Sequence, residues 1–193
     1  MKHDASETEV KRCKEAEKFR KIDAAFRNGD LVALRASVDS PDCVPNGPMP
    51  LAIGPCLEYA IYHSPLSFIR TLLEIGADPN PTDHTGFPPL IAALSCSHPQ
   101  PDSPWRHDTL DIIKLLLSYG ANPNQRGIND YTPLHMAVGE RHLPAIEVLL
   151  EAGADPRLRT TIGDHETPRE MAERAKLVEM ASLLAIYESR LER

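Results

Sequence analysis

The side chains able to do chemistry in this 193-residue chain are scattered along it rather than gathered. Cys13, Cys43, Cys56 and Cys96 stand 30, 13 and 40 residues apart. They lack the Cys-x-x-Cys pairs that bind zinc or run thiol–disulfide exchange, and they read as reduced thiols. His98 and His107 flank the one tryptophan, Trp105, but two imidazoles leave a metal shell incomplete. There is no glycine-rich phosphate loop, no His-Glu-x-x-His and no Gly-x-Ser-x-Gly, and the one acid that recurs belongs to a repeated turn. The expectation is a protein that is not an enzyme, with no catalytic residue, no cofactor and no metal.

Composition narrows the field further. With 41% hydrophobic and 25% charged residues the chain can bury a core, unlike a disordered segment. The formal charge of −7 is unevenly spread: residues 1–29 carry +2, residues 30–126 carry −5 and residues 127–193 carry −4. Sequence-independent binding to nucleic acid needs phosphates neutralised by Lys and Arg, so an acidic body argues against it. No run of 18 apolar residues occurs, and the start of the chain is charged, without the apolar stretch of a signal peptide. A cytoplasmic protein with no membrane contact is expected. The 18 prolines, against 10 glycines, demand an architecture with many places where proline is tolerated.

The elements that position these residues come from internal repetition. Leu72-Leu73-Glu74-Ile75-Gly76-Ala77-Asp78-Pro79-Asn80 returns as Leu116-Leu117-Ser118-Tyr119-Gly120-Ala121-Asn122-Pro123-Asn124 and as Leu149-Leu150-Glu151-Ala152-Gly153-Ala154-Asp155-Pro156-Arg157. The glycines Gly76, Gly120 and Gly153 are 44 and 33 residues apart, whereas Ala60, Ala93 and Ala137, each three residues after a leucine, are 33 and 44 apart. Both spacings follow from a 33-residue period with one insertion of 11 residues in the middle unit. Before each glycine, leucine and isoleucine recur at steps of three and four, as in a helix apolar over much of its girth. Such a helix cannot cover its own apolar face and must pack on neighbouring units.

With Thr132-Pro133-Leu134-His135-Met136-Ala137 and the three Leu-Leu-x-x-Gly-Ala-(Asp/Asn)-Pro segments, this pattern resembles the ankyrin repeat, a β-turn followed by two antiparallel helices. The resemblance implies an all-α solenoid of about five stacked helix-turn-helix units with short β-turn or hairpin fingers. The units fall at about 17–46, 47–80, 81–124 with the insertion near 96–107, 125–160, and 161–193 as a C-terminal cap; residues 1–16 form a charged extension, either helical or frayed. Charged, atypical end units suit faces that meet water. Gly76, Gly120 and Gly153 suit the left-handed position after a helix, and Asp78, Asn122 and Asp155 suit the turn that follows. The resemblance also implies that Thr132 caps its helix, with Pro133 and Leu134 following, and that His135 is structural.

The family binds other proteins through a concave face of turn tips and inner-helix side chains. Carried onto this chain, the contact positions are His84, Thr85, Phe87 and Ser95 in the third unit and Ile128, Asn129, Tyr131, Gly139 and Glu140 in the fourth. The second unit departs from the pattern and leaves Glu58, Tyr62 and His63. The insertion, with Pro99, Pro101 and Pro104 excluding regular helix, presents Trp105 and Arg106, residue types enriched at interface hot spots. Trp105 is either a contact residue or a lid folded back on the outer helices. The expected function is binding of a partner protein by a chain that is monomeric alone. The alternative is an antitoxin-like inhibitor whose 96–107 loop plugs a partner enzyme.

Overall fold

The computed structural model describes residues 2–82, 86–97, 106–161 and 165–191, with residues 2–7 and 52 described by backbone alone. The described residues form ten α-helices, three short 3-10 turns and no strands. The helices come in pairs joined by short turns: α1 (Lys2–Asn28) and α2 (Leu31–Ser37), α3 (Cys56–His63) and α4 (Leu66–Glu74), α5 (Pro89–Ser95) and α6 (Thr109–Ser118), α7 (Pro133–Gly139) and α8 (Leu143–Glu151), α9 (Pro168–Arg174) and α10 (Val178–Leu191). The backbone divides into two compact units, one ending at Asp78 and one beginning at Pro79. No described helix is long and apolar enough to cross a membrane.

In the first unit α1 packs on α2 and α3, and α3 packs on α4. Ile22, Phe26, Leu34, Ile61, Phe68, Ile69 and Leu72 are fully buried, with the rings of Phe26 and Phe68 edge to face at 5.9 Å. The turn between α1 and α2 needs glycine: Gly29 sits at φ +67°, and a Cβ there would lie 3.3 Å from Phe68 Cβ and Pro65 Cγ. Asp30 then starts α2 by accepting the Ala33 N–H at 2.9 Å. The charged residues before position 17 continue α1 as helix.

In the second unit the first helices α5, α7 and α9 pack side by side, and the second helices α6, α8 and α10 do the same behind them. Leu94, Ile112, Ile113, Leu116, Leu134, Ile146 and Leu149 are sealed in this core. The helices α6 and α8 stop in the same way. Gly120 and Gly153 take φ +84° and +89°, and the next amide reaches back to the helix, Ala121 to the Leu116 carbonyl at 3.0 Å and Ala154 to that of Leu149 at 2.9 Å.

The last pair ends the unit differently. Ala181 and Ala185 stand 35 positions after Ile146 and Leu150, so the aliphatic side chains buried on α8 are cut to methyl groups on α10. Arg169, at the position where Leu134 starts its helix pair, reaches Glu188 of α10 at 2.8 Å. The end is thus blunted by small side chains as well as by charge, which reduces the apolar face left to water.

Candidate interaction surface

Three asparagine amides tie successive loops together. Asn46 donates to the Gly76 carbonyl at 2.7 Å and accepts the Asp78 N–H at 2.8 Å. Asn80 does the same for Gly120 and Asn122, at 2.8 and 2.6 Å, and Asn124 for Gly153 and Asp155, at 3.1 and 2.7 Å. The planar amide offers a donor and an acceptor side by side, so one side chain satisfies both backbone groups of the next loop. At the following equivalent position Arg157 turns back onto the Asp155 carboxylate at 2.9 Å, and the ladder stops. That guanidinium holds Asp155 below the usual carboxylate range.

The Thr132-Pro133-Leu134-His135 corner is buried, with Leu134 and His135 inaccessible to solvent. His135 Nδ1 lies 3.2 Å from the Thr132 N–H and 2.8 Å from the Thr132 hydroxyl, while Nε2 lies 3.0 Å from the Glu166 carbonyl. One neutral ring therefore serves the start of α7 and the turn before α9: Nδ1 accepts and Nε2–H donates. Burial pushes its pKa down, the hydrogen bond to Glu166 pulls it partly back, and the Arg126 charge lowers it further. The role expected for the threonine is thus shared with the histidine, whose ring caps the Thr132 amide. At the start of α9 the capping is reciprocal, Thr167 Oγ1 accepting the Glu170 N–H at 3.2 Å and a Glu170 carboxylate oxygen accepting the Thr167 N–H at 2.9 Å.

These anchors hold out a turn in front of α7. The Gly127 N–H donates to the Tyr131 carbonyl at 2.9 Å, and inside the turn Asn129 and Asp130 both take the left-handed conformation, at φ 60° and 59°. Ile128 stands at its tip, 66% exposed. Tyr131 is half-buried, its ring 5.5 Å from that of His135. Gly127 packs closely at the base, where a Cβ would lie 2.8 Å from the tip of the Ile91 side chain of α5. Arg126 braces the turn, donating to the carbonyls of Asp130 at 3.3 Å and Arg159 at 2.9 Å. In the preceding repeat Phe87 is 40% exposed, and the Ser95 hydroxyl donates to the Ala92 carbonyl at 2.8 Å. Glu140 is half-buried at the end of α7, after the exposed Gly139. His84, Thr85 and Trp105 lie outside the described residues.

In the first unit the structure adds a patch around the expected residues Glu58, Tyr62 and His63. The Tyr59 ring contacts Phe26 at 4.8 Å and His63 at 4.4 Å, tilted by 56° and 50°. Its hydroxyl donates to Asp23 at 2.8 Å, and Arg27 Nε donates to the same carboxylate. Tyr62 lies 6.2 Å from the His63 ring and donates to Glu58 at 3.3 Å. Burial pushes the Asp23 carboxyl up, but the bonds from Arg27 and Tyr59 outweigh it and hold the group ionised below its ordinary range. Burial, then the bond to Asp23, pushes the Tyr59 phenol up to about 12. Asp23, Arg27 and Tyr59 carry no motif in the sequence; their one signal is helical phase, with Asp23 and Arg27 one turn apart.

The described stem of the insertion is closed. The Arg106 N–H donates to the Cys96 carbonyl at 3.0 Å, and the Arg106 guanidinium, 11% exposed, grips Asp108 through two bonds at 2.8 and 2.7 Å. Cys96 and Cys56 are buried, and burial pushes their thiols up to about 11 and about 12, far from the thiolate that nucleophilic or metal-binding chemistry requires. Among the described residues no three His, Cys, Asp or Glu side chains are placed to hold a metal ion.

A family model for ankyrin repeats, in three copies, matches residues 57–160, from the first turn of α3 to the loop after α8. No curated protein matches the chain.

Proposed function

Because the chain belongs to the ankyrin repeat family, whose repeats generally serve as protein–protein interaction modules, we propose that it binds a partner protein through the exposed side of its first helices and the turns in front of them. The observation that carries this reading is the turn before α7. It keeps a large aliphatic side chain, Ile128, in water on a backbone with two consecutive left-handed residues, a local cost that surrounding structure must hold in place. Because the turn is already braced by Gly127, Arg126 and the His135 corner, binding to it needs little ordering. Phe87 and Tyr131 supply aromatic area beside it, and Tyr62 and His63 offer a second patch in the first unit. Four cysteines outside any disulfide suit a reducing compartment, and we take the setting to be the cytoplasm and the free chain to be a monomer.

The double variant Phe87→Ala, Tyr131→Ala tests the surface. Affinity for a captured partner should fall at least about tenfold, a loss of about 1.4 kcal/mol, while the helical circular dichroism spectrum stays unchanged. Unchanged affinity in a folded variant removes this surface from the interaction.

A further inference from the structure

We propose that Asn46 is a site of spontaneous deamidation, and that the reaction breaks the loop-to-loop rung this side chain makes. The rungs at Asn46, Asn80 and Asn124 consist of the same two bonds, but the residue that follows differs: Gly47, Pro81 and Gln125. Deamidation begins when the backbone nitrogen of the following residue attacks the asparagine Cγ. Pro81 has no N–H to give up, and the side chain of Gln125 crowds the five-membered ring that must form. Glycine presents neither obstacle. Of the three rungs, the one at Asn46 has the competent nucleophile beside it.

The fold needs both members of this pair. Only an amide at position 46 gives the Gly76 carbonyl a donor and the Asp78 N–H an acceptor. At position 47 a Cβ would lie 2.6 Å from the Cys43 Cα, a backbone atom that cannot step aside as a side-chain tip can. The same contacts restrain the reaction. The carboxamide is held at 2.7 and 2.8 Å, and the Gly47 N–H donates to the Cys43 carbonyl, so attack waits for the rung to open locally. The Gly47 nitrogen then bonds to Cγ, the Cγ–Nδ2 bond breaks, ammonia leaves with the Gly47 proton, and a cyclic imide remains. Water opens the imide at either carbonyl, giving aspartate or its β-linked isomer. Neither product has an N–H to donate to the Gly76 carbonyl, and the new carboxylate repels that oxygen; the isomer also adds a methylene to the backbone. A passing opening of the loop becomes a lasting one.

The test uses the full chain carrying Asn28→Gln. That background is needed because Asn28–Gly29 is the chain's other Asn-Gly pair, exposed at the end of α1, and would add an acidic product of its own. The chain is kept in mildly alkaline buffer with and without urea, and conversion is followed by mass spectrometry of the tryptic peptides 36–70, 71–106 and 115–126, which hold Asn46, Asn80 and Asn124 in turn. Asn46 should convert before the other two in both conditions. Its rate in the folded chain should be about tenfold to a thousandfold below that in urea, as a local opening requires. The converted chain, separated by its additional negative charge, should exchange the Asp78 amide hydrogen at least about tenfold faster relative to that of Asn122, which the unconverted Asn80 holds. Asn46→Asp should show the same loss at Asp78 without incubation. Equal rates in the folded and urea-held chains, a folded rate more than about a thousandfold below the urea rate, or a converted chain that keeps its Asp78 protection each overturn the proposal. These readings are made on the chain that begins with Asn46 and decide the matter even where Asn46→Asp does not fold.

Discussion

At the scale of single residues, cohesion between loops rests on Asn46, Asn80 and Asn124, which bridge backbone groups that no strand pairing satisfies. Asn124→Ala removes a donor and an acceptor and leaves the Gly153 carbonyl and Asp155 amide without their partner, so a loss of about 1–2 kcal/mol is expected in urea unfolding. Asn124→Asp should cost a similar amount, because a carboxylate cannot donate to the Gly153 carbonyl. The sequence held a sign of this ladder, since Pro-Asn recurs at 45–46, 79–80 and 123–124. Its role was not legible there. Asp78, Asn122 and Asp155 have the more familiar turn chemistry, and the asparagine's partner lies 29 to 42 residues further on. The case of His135 is the reverse: its tetrapeptide marked it as structural, but only the three-dimensional neighbours show that its second nitrogen reaches Glu166.

At the scale of elements, helix starts differ along the chain. The starts of α3 and α5 follow Pro55 and Pro88 without a side-chain cap, α7 uses an imidazole, and α9 uses the reciprocal Thr167–Glu170 pair. Thr167→Ala should therefore lower stability by about 1 kcal/mol, while Thr167→Ser should restore most of it. The positions of most helices were legible because leucine and isoleucine periodicity, the glycine after α4, α6 and α8 and the Thr-Pro corner agree. The last pair was less legible. Its charge was visible at Arg169, but the replacement of Ile146 and Leu150 by Ala181 and Ala185 is seen only when α8 and α10 are compared position by position. The turn before α7 was partly legible, since Asn129 and Asp130 are residue types that tolerate the left-handed region. The corresponding conformation at Leu51, φ 61°, has no such signal, because leucine does not favour it.

At the scale of the whole molecule, the sequence shows one repeating text, and the structure shows two compact units, the chain passing from one to the other between Asp78 and Pro79. That boundary was not legible because Gly-Ala-Asp-Pro-Asn at 76–80 has near copies at 120–124 and 153–157, and loops so alike give the sequence no means of ranking them. Function at this scale depends on which side of the helix pairs meets the partner. The most direct test places a photo-reactive benzophenone amino acid at position 128, on the turn before α7, and in a second variant at position 114, an exposed site on α6. Irradiation in the presence of the partner should join it to the chain from position 128 and not from position 114. Crosslinking from 114 with none from 128 would contradict the assignment of the turns and first helices as the binding surface.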